Sequence, residues 1–168
     1  MRERVEKIVG PMKAQALWMG TFHSIFSRIL RKEAHVFGFD NNYTIYQPSD
    51  TKSLLKAIVK EMGLDDKTYK VPMLANRISE AKNLLVTPKR YAQSNEAQVR
   101  DRMDNIPLFV DIYKEYFSRC HQSNAMDFDD LLLYTFILFD AFQDIRVKYA
   151  ERFEYVLVDE FQDTNLAQ

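Results

Sequence analysis

Asp159 and Glu160 stand side by side at the end of the short apolar run Tyr155-Val156-Leu157-Val158. Adjacent carboxylates at the tip of a strand suit a specific chemistry. One can hold a hard, oxygen-seeking Mg²⁺ against phosphate oxygens, and the other can serve as a base for an attacking water. In an open parallel sheet, ligands bind outside the carboxyl ends of the strands, which is where such a pair would lie. Taken alone, the pair fits equally well a strand that runs into an acidic surface turn. Gln162, Asp163, Thr164 and Asn165 follow after the single apolar residue Phe161.

A second constellation is Thr21-Phe22-His23-Ser24, where an apolar run gives way to helical spacing. It sets a hydroxyl, an aromatic ring, an imidazole and unpaired backbone N–H groups at one junction. Helix N-termini accept phosphate, and aromatic rings give unpaired bases a stacking surface. By itself the string reads more simply: Phe22 in the core, Thr21 as a cap, His23 on the surface. The third constellation is Asp127-Phe128-Asp129-Asp130-Leu131-Leu132. Acids at the start of a helix favour its positive dipole end, and the spacing lacks the pattern of a Ca²⁺ loop. Its role is read as mainly architectural.

The elements that hold these residues follow from periodicity. Leu17 to Thr21 and Tyr155 to Val158 are expected as strands. Phe22, Ile25, Phe26, Ile29 and Leu30 fall at i, i+3, i+4, i+7 and i+8, an amphipathic helix with Thr21 as its N-cap. Met1 to Val9 reads as a helix end. Ser49 or Asp50 is expected to cap a helix that stops at Gly63. Residues 72–85 form another, with Pro72 in its first turn. Residues 95–121 give one long helix, or two if Pro107 breaks it. Asp127 caps an apolar helix from Phe128 to Phe142, and Gln143 to Glu151 makes the last. Two strands flanking so much helix do not make a sheet. The expected class is α/β, predominantly helical: a helical subdomain inserted between strands of a larger α/β domain, with the chain a fragment of it.

Composition sets the outer limits. At 168 residues, with 46% hydrophobic and 13% aromatic content, the chain can bury a core. A single cysteine, Cys120, excludes a disulfide framework and fits a reducing compartment; it is expected on a helix face. No secretory leader is visible at Met1-Arg2-Glu3-Arg4. The apolar run Leu131 to Phe139 is far short of a membrane span, so no membrane is expected. Charge is uneven: residues 1–35 carry seven basic and three acidic side chains, residues 126–168 three and ten. Separate polyanion and metal-phosphate regions would produce that asymmetry, as would two solvated faces.

The string Asp159-Glu160-Phe161-Gln162-Asp163-Thr164-Asn165 resembles motif II of the UvrD/PcrA/Rep family of superfamily 1 DNA helicases. Thr21-Phe22-His23 resembles the family's motif Ib, which lines the single-strand DNA path, and Asp127 to Leu131 resembles the helix that returns from its inserted subdomain. The resemblance implies an incomplete RecA-like P-loop NTPase domain: residues 1–35 as part of the motor, 36–125 as the helical 1B-like subdomain, and 126–168 as the return helices and motif II strand. It implies Asp159 on the Mg²⁺ of ATP, Glu160 as the base, Gln162 and Asp163 relaying nucleotide state, and Thr21, Phe22 and His23 toward DNA. Thr21 and His23 are the better placed, since Phe22 can point into the core. Single-stranded and duplex DNA are the implied partners, repair or replication the implied setting, and a cytoplasmic, nucleoid-associated location the implied place. The sequence departs from the family in having no Gly-x-x-x-x-Gly-Lys-[Ser/Thr] loop. The fragment is therefore expected neither to bind ATP tightly nor to hydrolyse it. Two other readings stay open, a stand-alone DNA-binding or protein-interaction module with vestigial acids, and the AddA/RecB-like helicase–nuclease class.

Overall fold

The computed structural model describes residues 2–168; Met1, expected in the first helix, lies outside them. Ten helices run in order: α1 Arg2–Val9, α2 Pro11–Ala16, α3 Phe22–Glu33, α4 Pro48–Glu61, α5 Val71–Asn83, α6 Pro88–Gln93, α7 Asn95–Met103, α8 Phe109–Gln122, α9 Phe128–Ala141 and α10 Gln143–Arg152. Two strands of two residues each, β1 Thr44–Ile45 and β2 Ala125–Met126, pair in parallel with Thr44 opposite Ala125 and Ile45 opposite Met126. The fold is thus predominantly helical with a small parallel sheet. That sheet was not foreseen, since two residues carry no periodicity.

Local chemistry accounts for the helix ends. Thr21 caps α3, its Oγ1 accepting from the Ser24 N–H at 3.3 Å. α4 is capped not by Ser49 or Asp50 but by Gln47. Pro48 suits the first helical position, which places the cap at Gln47, two residues before Ser49, and Asp50 then reaches back to accept from the Gln47 N–H at 2.8 Å. α9 opens with a full capping box: Asp127 Oδ1 accepts from the Asp130 N–H at 2.8 Å, and Asp130 Oδ2 from the Asp127 N–H at 3.0 Å. Residues 95–121 form two helices, with Pro107 in the turn between α7 and α8.

The side chains gather into two apolar clusters. One lies among α4, α5, α6 and α8 and includes Leu55, Ile58, Leu74, Ile78, Tyr91, Ile112 and Tyr116. The other joins α3, β2, α9 and α10 through Ile29, Leu30, Met126, Leu131, Leu138 and Tyr149. α9 is buried on every side from Asp130 to Thr135, while Phe128, Phe136 and its last turn reach solvent. Cys120 sits on the inner face of α8, 3% exposed.

Two expected strands do not form. Leu17 to Gly20 is irregular, held by side chains: the Trp18 ring meets the edge of Phe153 at 5.0 Å and carries the Arg28 guanidinium 3.9 Å above it. Tyr155 to Val158 is also irregular, with Leu157 97% exposed. Apolar alternation makes a strand only where a neighbour supplies the ladder's donors and acceptors. Among the described residues, no backbone hydrogen bond joins either segment to another strand.

Candidate functional site

The acidic pair ends an extended, exposed segment rather than a strand within a sheet. Asp159, Glu160, Phe161, Gln162 and Asp163 are all exposed. Glu160 adopts left-handed backbone, φ 49°, and so turns the chain into a short 3₁₀ turn, Phe161–Asp163. Asp159 Oδ1 accepts from the Glu160 N–H at 3.0 Å, Glu160 O from the Asp163 N–H at 2.9 Å, and Phe161 O from Thr164 Oγ1 at 2.7 Å. The turn is therefore knit by its own bonds and presents both carboxylates outward. Among the described residues, no group of three or more His, Cys, Asp or Glu side chains could hold a metal alone. A bare pair of accessible carboxylates fits Mg²⁺, which keeps several waters and takes one or two carboxylates together with phosphate oxygens.

At the other constellation, Thr21 is exposed while Phe22 and His23 are half-buried. The Thr21 hydroxyl is engaged as the α3 cap, and its carbonyl accepts from Ser24 Oγ at 2.8 Å. Phe22 packs on Phe26, ring centroids 5.7 Å apart. His23 meets the Phe128 ring edge-on at 5.7 Å, so the Thr21-Phe22-His23 and Asp127-Phe128-Asp129-Asp130 segments share one surface. Among the described residues no hydrogen bond or ring contact joins that surface directly to Asp159, Glu160 or Gln162.

Beneath the surface lies a group that periodicity reading passed over. Lys82 Nζ, fully buried, sits 2.6 Å from Asp127 Oδ2 and 2.7 Å from Asp130 Oδ1. Tyr116 donates to Asp127 Oδ2 at 2.7 Å and receives Thr51 Oγ1 at 3.1 Å. Burial opposes the charge on Lys82, but Asp127 and Asp130 outweigh it and hold the ammonium well above its ordinary pKa. Burial would raise Asp127 too; Lys82 and the Tyr116 hydroxyl overcome it and keep that carboxylate low. Asp130 has the lesser share. Burial and the neighbouring Asp127 charge push it up to about 7, and its Oδ1 faces the ammonium without a well-aligned hydrogen bond. The sequence did carry a trace of this cluster: Leu74, Ile78 and Lys82 fall at i, i+4 and i+8, a cation on an apolar stripe.

The whole chain, residues 1–168, matches the model of the UvrD/REP helicase N-terminal domain. Among curated relatives, it is 43% identical over 170 residues to the ATP-dependent DNA helicase UvrD1 of Mycobacterium leprae, and 43% identical over 169 residues to UvrD1 of Mycobacterium tuberculosis H37Rv. It is 39% identical over 168 residues to the ATP-dependent DNA helicase PcrA of Staphylococcus aureus strain COL. Each alignment covers 100% of this chain but only 21%, 21% and 22% of those relatives, so the chain spans about a fifth of their length. No helix among the described residues is long and apolar enough to cross a membrane. With its motif strings falling inside a match that runs from end to end, the chain belongs to the UvrD/REP helicase N-terminal domain family.

Proposed function

We propose that this chain is a part of an ATP-dependent DNA helicase that moves along single-stranded DNA and unwinds duplex, in DNA repair or replication. The observation that carries the reading is the Asp159-to-Asn165 string inside a full-length family match. The names of the relatives, all ATP-dependent DNA helicases, support the activity. ATP and Mg²⁺ belong to the whole motor. The chain itself has no phosphate-cradling glycine loop and by our reading is inactive alone.

Asp159 would hold Mg²⁺, directly or through a water, and Glu160 would orient the attacking water and take its proton. Bound Mg²⁺ would supply charge neutralisation on the β- and γ-phosphates. Gln162 and Asp163, on the turn that follows, would pass on the state of the nucleotide. Thr21, Phe22 and His23 would face DNA, with the His23 ring as a stacking surface and the α3 N-terminus toward phosphate. Residues 36–125 would form the inserted 1B-like subdomain, flanked by motor segments 1–35 and 126–168. The pairing of β1 with β2 supports that division, because it draws entry and exit of the helical stretch together. A cytoplasmic, nucleoid-associated location accords with this role.

Glu160→Gln in the full-length ATPase tests the reading. Turnover should fall by at least about 100-fold with ATP binding retained, as expected for loss of a general base. Turnover near wild type in that variant would remove Glu160 from the chemistry.

A further inference from the structure

Two consecutive residues at the end of α5 grip three acids at the start of α9. Lys82 holds Asp127 and Asp130, and Asn83 Nδ2 donates to Asp129 Oδ1 at 2.9 Å. The same amide nitrogen donates to Ser79 O at 2.9 Å. Both partners are acceptors, so the orientation of the Asn83 amide is settled: its nitrogen faces α9 and its oxygen faces out. That oxygen accepts from Asn165 Nδ2 at 2.6 Å. Asn165 is equally constrained from its own side, since its Oδ1 accepts the N–H groups of Ala167 at 3.0 Å and Gln168 at 3.1 Å. Two amides, each oriented by other bonds, thus meet donor to acceptor.

The bond has a particular location. Asn165 lies one residue beyond Thr164, which closes the turn that begins at Asp159 and Glu160, while Asn83 ends α5 and is anchored on α9 beside a buried ion group. No other side-chain hydrogen bond among the described residues ties the stretch 159–168 to the helical body. We infer that Asn83 is a positioning residue for the acidic turn: through Asn165 it sets where Asp159 and Glu160 stand, and it couples that position to helix α5. A shift of α5 against α9 then moves the turn, and nucleotide-driven movement of the turn pulls on α5. The inference rests on the assignment of Asp159 and Glu160 proposed above.

The test uses the full-length ATPase with Asn83→Ala, Asn165→Asp and the pair. Asn165→Asp is isosteric and keeps the acceptor for Ala167 and Gln168, but turns an acceptor toward Asn83 Oδ1; lying on the exposed tail, it leaves the core intact. Each single change should lower kcat for ATP roughly 3- to 10-fold, the worth of one hydrogen bond, with KM for ATP within about two-fold. The double variant should be no worse than the poorer single. Losses that multiply, or no loss, overturn the inference. Hydrogen exchange of amides 161–168 provides an activity-free readout: both singles should accelerate it to the same degree, and unchanged exchange overturns the link. Glu160→Gln in parallel separates the two claims. Retained turnover there defeats the acid assignment, whereas lost turnover with additive Asn83 and Asn165 effects defeats only the coupling.

Discussion

Replacing Lys82 by methionine keeps the length of the side chain and deletes the ammonium that two buried carboxylates face. In the folded chain Asp130 is 2% exposed and Asp127 7%, so neither can turn to water for compensation. Removing one partner of a buried ion pair costs about 3–5 kcal/mol. Asp127 retains the Tyr116 hydroxyl and the Asp130 N–H, and Asp130 retains the Asp127 N–H; these bonds keep the cost within that range. With a urea slope of about 2 kcal/mol per M for a domain of this size, the unfolding midpoint should drop by roughly 1.5–2.5 M at pH 8. The loss should shrink at pH 5, because Asp130, with a folded pKa of about 7, already holds a proton there and only Asp127 is left as a stranded charge. Urea titrations followed by circular dichroism at both pH values measure it. A drop below about 0.5 M at pH 8, or the same drop at both pH values, would refute the description of this group as a strongly coupled buried triad.

Two further outcomes follow from the same interior. Asp130 has a folded pKa of about 7, above its ordinary 3.8, so the folded state holds its proton more tightly. Its stabilising contribution is complete below pH 3.8 and is lost as pH rises through 7. The wild-type urea midpoint should therefore fall between pH 6 and pH 8, and Asp130→Asn should flatten that fall; an unchanged slope in the variant would assign it elsewhere. The Cys120 thiol is buried and, chiefly by that burial, pushed up to about 12. A thiol reagent should label it stoichiometrically in urea and only at the rate of chain opening in native buffer. Full labelling within a minute under native conditions would contradict its placement on the inner face of α8.

The longer helices were legible because each advertises itself locally, whereas α2 and α6, six residues each, are too short to show a periodicity and were not expected. α3 has its apolar stripe and Thr21, α9 its nearly all-round apolar surface and Asp127, and α8 an inner face spaced from Phe109 to Cys120. The strands were not, because a strand is a property of two segments. Tyr155 to Val158 has the composition of a strand, yet Tyr155, Val156 and Leu157 remain solvated without a ladder partner. β1 and β2 form only because Asn124 O and Met126 O accept from the N–H groups of Thr44 and Tyr46, across some eighty positions of sequence. The acidic pair itself could be found by its neighbours in the string. Lys82 and Asn83 could not be tied to it, since only the packing of α5 on α9 shows that one neutralises Asp127 and the other catches Asn165.

Because Ile45 and Met126 lie opposite each other, everything between them leaves and rejoins the rest of the molecule through a single doorway. A stretch mounted in that way can be lengthened, shortened or exchanged without re-threading its surroundings, since the two chain ends need only span neighbouring positions. The doorway therefore lets the helical stretch tolerate changes of length between its ends, so long as Lys82 and Asn83 still meet the acids waiting at the threshold of α9.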